Sequence, residues 1–313
     1  MSGKPTIEHV YEHFIMDSSR WQDFQVRNDD ILVCTSYKAG TTWTQMICAL
    51  LIHQTTDLPT SLAELSPWLD MRTASKDEVF AVFEAQTHRR FIKTHTALDG
   101  LPYYDNVTYL YCGRDPRDVF MSMEHHQTNM DMPHLAAVLG SQGIVLQPPP
   151  PAPEDINDRF KLWMTHASFP WEHDGLPFWS HFHHGETFWN HRHLPNVHFL
   201  HYADLKADLE GQMRRIAGLL GITVPEAKWP ELVRAATFAD MKANADKRAP
   251  DTNHGAWLSN SAFFNKGENE QWRGALSADS QQLYQDLART RYDPTYIDWL
   301  ERGSTATGDP KTQ

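Results

Sequence analysis

Four short runs rich in β-branched and aromatic residues punctuate the chain, at about 31–35, 90–95, 107–112 and 197–201. Each is too brief for a helix, and none alternates cleanly between apolar and polar positions. Strands buried on both faces of a parallel sheet read this way. Between and after them, apolar residues recur at three- or four-residue spacing. That period predicts helices near 43–54, 117–126, 155–168, 177–192, 205–220, 229–236 and 279–289, with Gly221 as the C-cap of the fifth. Strands alternating with helices predict an α/β fold: a single domain with a central parallel sheet flanked by helices. Residues 128–153 break the pattern and end in Pro148–Pro151 and Pro153. The stretch is expected to stay irregular, as a substrate lid or as a passive surface loop. Residues 1–303 are expected to form the domain, and 304–313 a disordered tail.

Composition narrows the partners. A net charge of −12 over 313 residues argues against broad nucleic-acid binding, so an anion site must be a local basic pocket. Residues 1–10 lack the apolar core of a signal peptide, and the longest apolar run, near 46–52, is too short to span a bilayer. A cytoplasmic protein without a membrane span is the expectation, with a homodimer left open. Cys34, Cys48 and Cys112 fall in buried-looking positions and read as small apolar fillers. Of the 18 histidines, eight lie between His173 and His201. Their spacing specifies no metal site, and that segment reads as an aromatic amphipathic helix. Trp163, Trp171, Phe178, Trp179, Phe188 and Trp189 are expected mainly in the core, with one or two available to an acceptor pocket.

The chemistry begins at Ile31–Trp43 (ILVCTSYKAGTTW), a strand, a Lys-Ala-Gly turn and a helix start. This P-loop-like strand-turn-helix aims backbone N–H groups and the positive end of a helix dipole at one spot. Phosphate or sulfate suits such a cradle. Lys38 precedes Gly40, and Thr41 and Thr42 follow, whereas an ATP-type loop places its lysine after the last glycine. A second run ends in Lys93-Thr94-His95, and a third in Gly113-Arg114-Asp115, with Ser122 eight residues beyond the arginine.

Together these motifs resemble the cytosolic sulfotransferases, which move a sulfuryl group from 3′-phosphoadenosine 5′-phosphosulfate (PAPS) to an acceptor. The resemblance continues through Tyr202-Ala-Asp-Leu-Lys206, Thr237–Met241 and Phe264–Arg273, in order from about residue 30 to 275. It implies that the Lys38, Ala39, Gly40, Thr41, Thr42 turn takes the 5′-phosphosulfate. Arg114 and Ser122 would take the 3′-phosphate, and Trp43, Phe238 and Tyr202 the adenine. Asn265, Lys266 and Gly267 stand at the family's late nucleotide-binding motif. His95 matches the general base, with Lys38 and Lys93 stabilising the transferring group, and no metal is required. The partner implied is a small-molecule hydroxyl acceptor, small or lipophilic rather than a polysaccharide.

This chain departs from the family pattern in places. Ala39 replaces a serine, Asn265 an arginine and Glu270 a glycine. Lys266 or Arg273 is expected to compensate for the lost arginine, and an inward Glu270 would oppose an anion. The alternatives are a P-loop NTPase or kinase, against which the lysine placement argues, and a non-catalytic binder of 3′-phosphoadenosine nucleotides.

Overall fold

The computed structural model describes residues 3–147, 151–250 and 257–313. Its centre is a parallel sheet of β1 (Ile31–Cys34), β2 (Phe91–Thr94), β3 (Thr108–Gly113) and β4 (Val197–His201) in the order β2-β1-β3-β4. In β1 the side chains divide by parity. Leu32 and Cys34 join one apolar cluster, Ile31 and Val33 the other. Tyr109 and Tyr111 of β3 share the first cluster, Leu110 and Cys112 the second. Both faces are thus covered, which is why the strands lack a polar repeat. The register places Ile31 opposite both Phe91 and Thr108. At its start the sheet is pinned by the buried Arg90–Asp30 ion pair at 2.5 Å.

Chain order explains where a site can form. The chain leaves β1 for β2 on one side, then crosses back to β3 and β4 on the other. Open α/β sheets bind ligands outside the carboxyl ends of their strands where the order reverses. Here those ends deliver Thr35–Gly40 after β1, His95 after β2, Arg114 after β3 and Tyr202 after β4.

Several elements differ from the sequence expectation. The segment 128–153 is not wholly irregular: Met132–Ser141 is a helix, capped by Asp131 accepting from the His134 N–H, with Leu135 and Leu139 buried. Residues 148–150 of its proline run lie outside the described residues. The fourth expected helix begins at His181, because Ser180 caps it and Phe178 and Trp179 turn to a cavity. The fifth is two helices, Tyr202–Ala207 and Leu209–Leu219. They break at Asp208, whose carboxylate accepts from the Gly211 N–H at 2.9 Å. A Cβ on Gly211 would lie 2.0 Å from that carboxylate, so the glycine admits the cap. Further helices were not expected, the longest of them Lys76–Ala85 and Pro294–Arg302.

The tail expectation is overturned. Ser304–Thr307 is a helical turn and Pro310–Thr312 a 3-10 turn. The buried Asp204 carboxylate accepts from the Ser304 and Thr305 N–H groups at 2.8 and 3.1 Å. Arg192 donates to the Gln313 carbonyl at 2.6 Å, and Lys311 to the Leu194 carbonyl at 2.9 Å. Long-range partners order a segment whose composition is that of a loop.

Candidate functional site

The turn after β1 holds two left-handed residues, Lys38 at φ 57° and Gly40 at φ 105°. Gly40 is required twice over: its φ disfavours a side chain, and an added Cβ would lie 3.2 Å from the Tyr202 ring. Thr41 begins the helix Thr41–His53, and its hydroxyl meets that of Thr35 at 2.5 Å. Ala39 is fully buried and contributes no side-chain donor. The free N–H groups of the first helical turn and the dipole make this end a favourable seat for an anion.

One cavity is lined by nearly every residue singled out from the sequence: Lys38, Gly40, Thr41, Thr42, Trp43, Lys93, His95, Arg114, Ser122, Tyr202, Phe238, Asn265, Lys266 and Gly267. Ala39 is the exception, packed inward beneath the turn. Three of the four strand ends thereby bring a cation or an imidazole to one place.

Lys38 is half-buried, its ammonium 3.3 Å from His126 Nδ1 and 4.3 Å from the centre of the Phe263 ring. Burial, then the charges of Arg114 and Lys93, lower its pKa to about 7. A lysine in that state is poised to gain a proton when an anion arrives. Lys93 Nζ lies over the Trp68 ring at 4.6 Å. His95 is buried, with Nδ1 2.6 Å from the Thr35 carbonyl. A carbonyl only accepts, so Nδ1 carries the proton and the lone pair of the neutral ring is on Nε2. Burial, followed by the charge of Lys93, holds His95 well below the ordinary histidine range, so it stays neutral at physiological pH.

Arg114 lies under Tyr202, its guanidinium 4.0 Å from the ring centre, and donates to the Lys38 carbonyl at 2.9 Å and the Glu268 carbonyl at 3.2 Å. Its Nε is buried without a partner, an unmet donor beside an anion-shaped turn. Trp43 donates through Nε1 to the Ala236 carbonyl at 2.8 Å and meets Tyr202 edge-on at 5.2 Å. Phe238 closes the far side. A Cβ on Gly267, at φ 65°, would strike its ring at 2.6 Å. Trp43, Tyr202 and Phe238 all line the cavity.

The late motif answers the question raised by Glu270. Its side chain turns out to solvent and pairs with Arg273 at 2.9 Å, and its backbone N–H donates to Asp118 at 2.8 Å. Glu270 does not oppose an anion in the cavity. Its φ of 61° explains why glycine suits this position. Arg273 is held by Glu270 and lies over Trp272 at 4.6 Å, so it does not take the place of an arginine at Asn265. Lys266 remains at the cavity edge.

Sequence reasoning missed His126, Trp68, Met71, Ile15 and Leu135, all of which line the same cavity. For His126 a signal existed. Four residues after Ser122, it shares that residue's helical face. Phe178 and Trp179, expected mainly as core, also line the cavity, while Trp163, Phe188 and Trp189 pack in the core.

A family model for the sulfotransferase domain matches residues 28–295. A glycolipid sulfotransferase of Mycobacterium bovis is 36% identical over 314 residues, covering 94% of this chain and 94% of that protein. Among solved structures, retinol dehydratase in complex with androsterone and inactive cofactor PAP aligns with a TM-score of 0.67 at 22% identity, over 87% of this chain and 83% of that one. A mouse sulfotransferase complexed with PAP gives 0.66 at 21% identity, over 89% and 90%. The two structures share the fold. The domain match and the mycobacterial relative, taken with the strand-end cluster, show that this chain belongs to the sulfotransferase family.

Proposed function

We propose that the protein transfers a sulfuryl group from PAPS to a hydroxyl of an amphiphilic acceptor. The observation that carries this is the convergence of Lys38, Lys93, His95 and Arg114 at the carboxyl ends of β1, β2 and β3 around one cavity. In the reaction the acceptor oxygen attacks sulfur, and the bond from sulfur to the bridging phosphate oxygen breaks. His95 Nε2 takes the hydroxyl proton, and the leaving phosphate keeps the electron pair. Lys38, with Lys93 beside it, opposes the charge that builds on that phosphate. The turn and the helix start at Thr41 hold the 5′ side, Arg114 and Ser122 the 3′-phosphate, and Trp43, Tyr202 and Phe238 the base. Two things support an acceptor with a lipid-like part: the apolar wall of Ile15, Met71, Leu135 and Phe178, and the glycolipid sulfotransferase among the relatives. Among the described residues no helix is long and apolar enough to cross a membrane.

Calorimetry with 3′-phosphoadenosine 5′-phosphate (PAP) in EDTA tests the donor site. Micromolar binding is expected without divalent metal, because lysine and arginine supply the charge. No binding below the millimolar range would refute it. Arg114→Ala separates the two phosphates. A charge-assisted contact of about 1.5–3 kcal/mol corresponds to roughly a tenfold to hundredfold weaker complex with PAP. Adenosine 5′-phosphate should lose far less. Equal losses for both nucleotides would show that Arg114 does not read the 3′-phosphate.

A further inference from the structure

Thr42, Trp68, Met71 and Lys93 form a wall shared with a second cavity, about 490 Å³ in volume. That volume lies within the roughly 300–1,000 Å³ typical of small-molecule sites. Its lining mixes carboxylates and hydroxyls, among them Glu64, Ser66, Thr73 and Glu78, with apolar side chains such as Leu62 and Val79.

Two lining residues each carry a buried polar atom without a partner, Gln45 Oε1 and Trp68 Nε1. Gln45 is itself buried, and its amide nitrogen is engaged by the Ser66 carbonyl and hydroxyl at 2.8 and 2.9 Å. That arrangement orients the amide and leaves its oxygen as an unmet acceptor. Trp68 is held from two sides, by Lys93 Nζ at 4.6 Å from its ring centre and by the His95 ring edge-on at 4.6 Å. Its N–H is an unmet donor. Folded proteins seldom leave such atoms buried and unpaired unless a ligand or water completes them. One orphan donates and the other accepts, and a hydroxyl can do both. A polyhydroxylated ring offers several hydroxyls and an apolar face for an indole.

We infer that this second cavity is a subsite for the glycosyl part of the acceptor. Gln45 and Trp68 would be the residues that recognise it, with the aglycone lying along the apolar wall near Phe178. Because Trp68 touches His95, a sugar held there places one of its hydroxyls beside the base. The inference rests on the sulfotransferase reading for its meaning, but its test does not need turnover.

Calorimetry would compare n-octyl β-glucoside, below its micellar concentration, with 1-octanol, on the protein with and without saturating PAP. The glucoside should bind about tenfold more tightly, as expected for one or two net hydrogen bonds. Trp68→Phe keeps the ring and removes the donor, and Gln45→Met removes the acceptor at similar length. Each should bring the two ligands to within about threefold, with PAP affinity unchanged as the check on folding. Equal binding of the two ligands by the unaltered protein, as when water alone completes both atoms, would overturn the subsite. So would a glucoside preference that survives in both variants. Failure to bind PAP would instead refute the donor site and leave the glucoside comparison standing.

Discussion

His95→Ala is expected to lower turnover by about two to four orders of magnitude, the range for removing a general base, while leaving PAP affinity close to that of the unaltered protein. The separation follows from the geometry. His95 Nδ1 is engaged by the Thr35 carbonyl at 2.6 Å, so Nε2 is the basic atom, the one left to meet an acceptor hydroxyl. The pH profile should be unusual for a histidine base. Burial and the neighbouring Lys93 hold the ring well below its ordinary range. The base works when neutral, so its activity is present above its own pKa and lost as pH falls through it. The acid limb of kcat/KM is therefore expected well below pH 6.5 and not across it, and it should vanish in His95→Ala. An alanine variant with near-normal kcat would make His95 a structural residue.

Much of this site was legible in the sequence because parallel sheets concentrate function at strand ends. An apolar run followed at once by polar residues marks such an end, and Lys38, His95, Arg114 and Tyr202 all follow runs of that kind. The four strands were legible for the same reason, since burial on both faces leaves no polar repeat to confuse them. What was not legible depends on contacts distant in sequence. Ile15, Trp68, Leu135 and Phe178 meet at the wall of the cavity from four separate segments, and none belongs to a local pattern. The C-terminal turns hang on Asp204, a hundred residues earlier in the chain. Asp208 splits one amphipathic stretch into two helices, yet the apolar period runs through the break. The Ser75–Glu78 capping box ahead of Lys76–Ala85 is different: that signature was present and its helix was overlooked. Glu270 shows how far a motif departure can be judged from sequence. The lost glycine was visible, but the outward turn of its side chain toward Arg273 was not.

Lys38→Ala should reduce turnover by about two to three orders of magnitude, as for removal of one preorganised donor at a developing anion, and should weaken PAP binding as well. In the proposed reaction this ammonium, unlike His95, would face the ground-state phosphate and the transition state alike, so its loss should be felt in both. Its protonation supplies a second signature. In the free protein the Lys38 pKa is lowered to about 7, so at pH 8 most of the population is neutral. An incoming phosphate favours the charged form and raises that pKa. Binding at pH 8 must then take up a proton, and affinity should fall by up to about tenfold per pH unit above 7 until the bound-state pKa is reached. Titrations in buffers of different ionisation enthalpy measure that uptake directly. The unaltered protein should take up close to one proton at pH 8 and far less at pH 6, and Lys38→Ala should take up almost none at either. Arginine is not expected to restore the rate. The Lys38 ammonium fits between His126 Nδ1 at 3.3 Å and the Phe263 ring at 4.3 Å, a space matched to a compact cation and not to a planar fork. Proton uptake that persists undiminished in Lys38→Ala would assign the linkage to another group and remove Lys38 from the centre of the site.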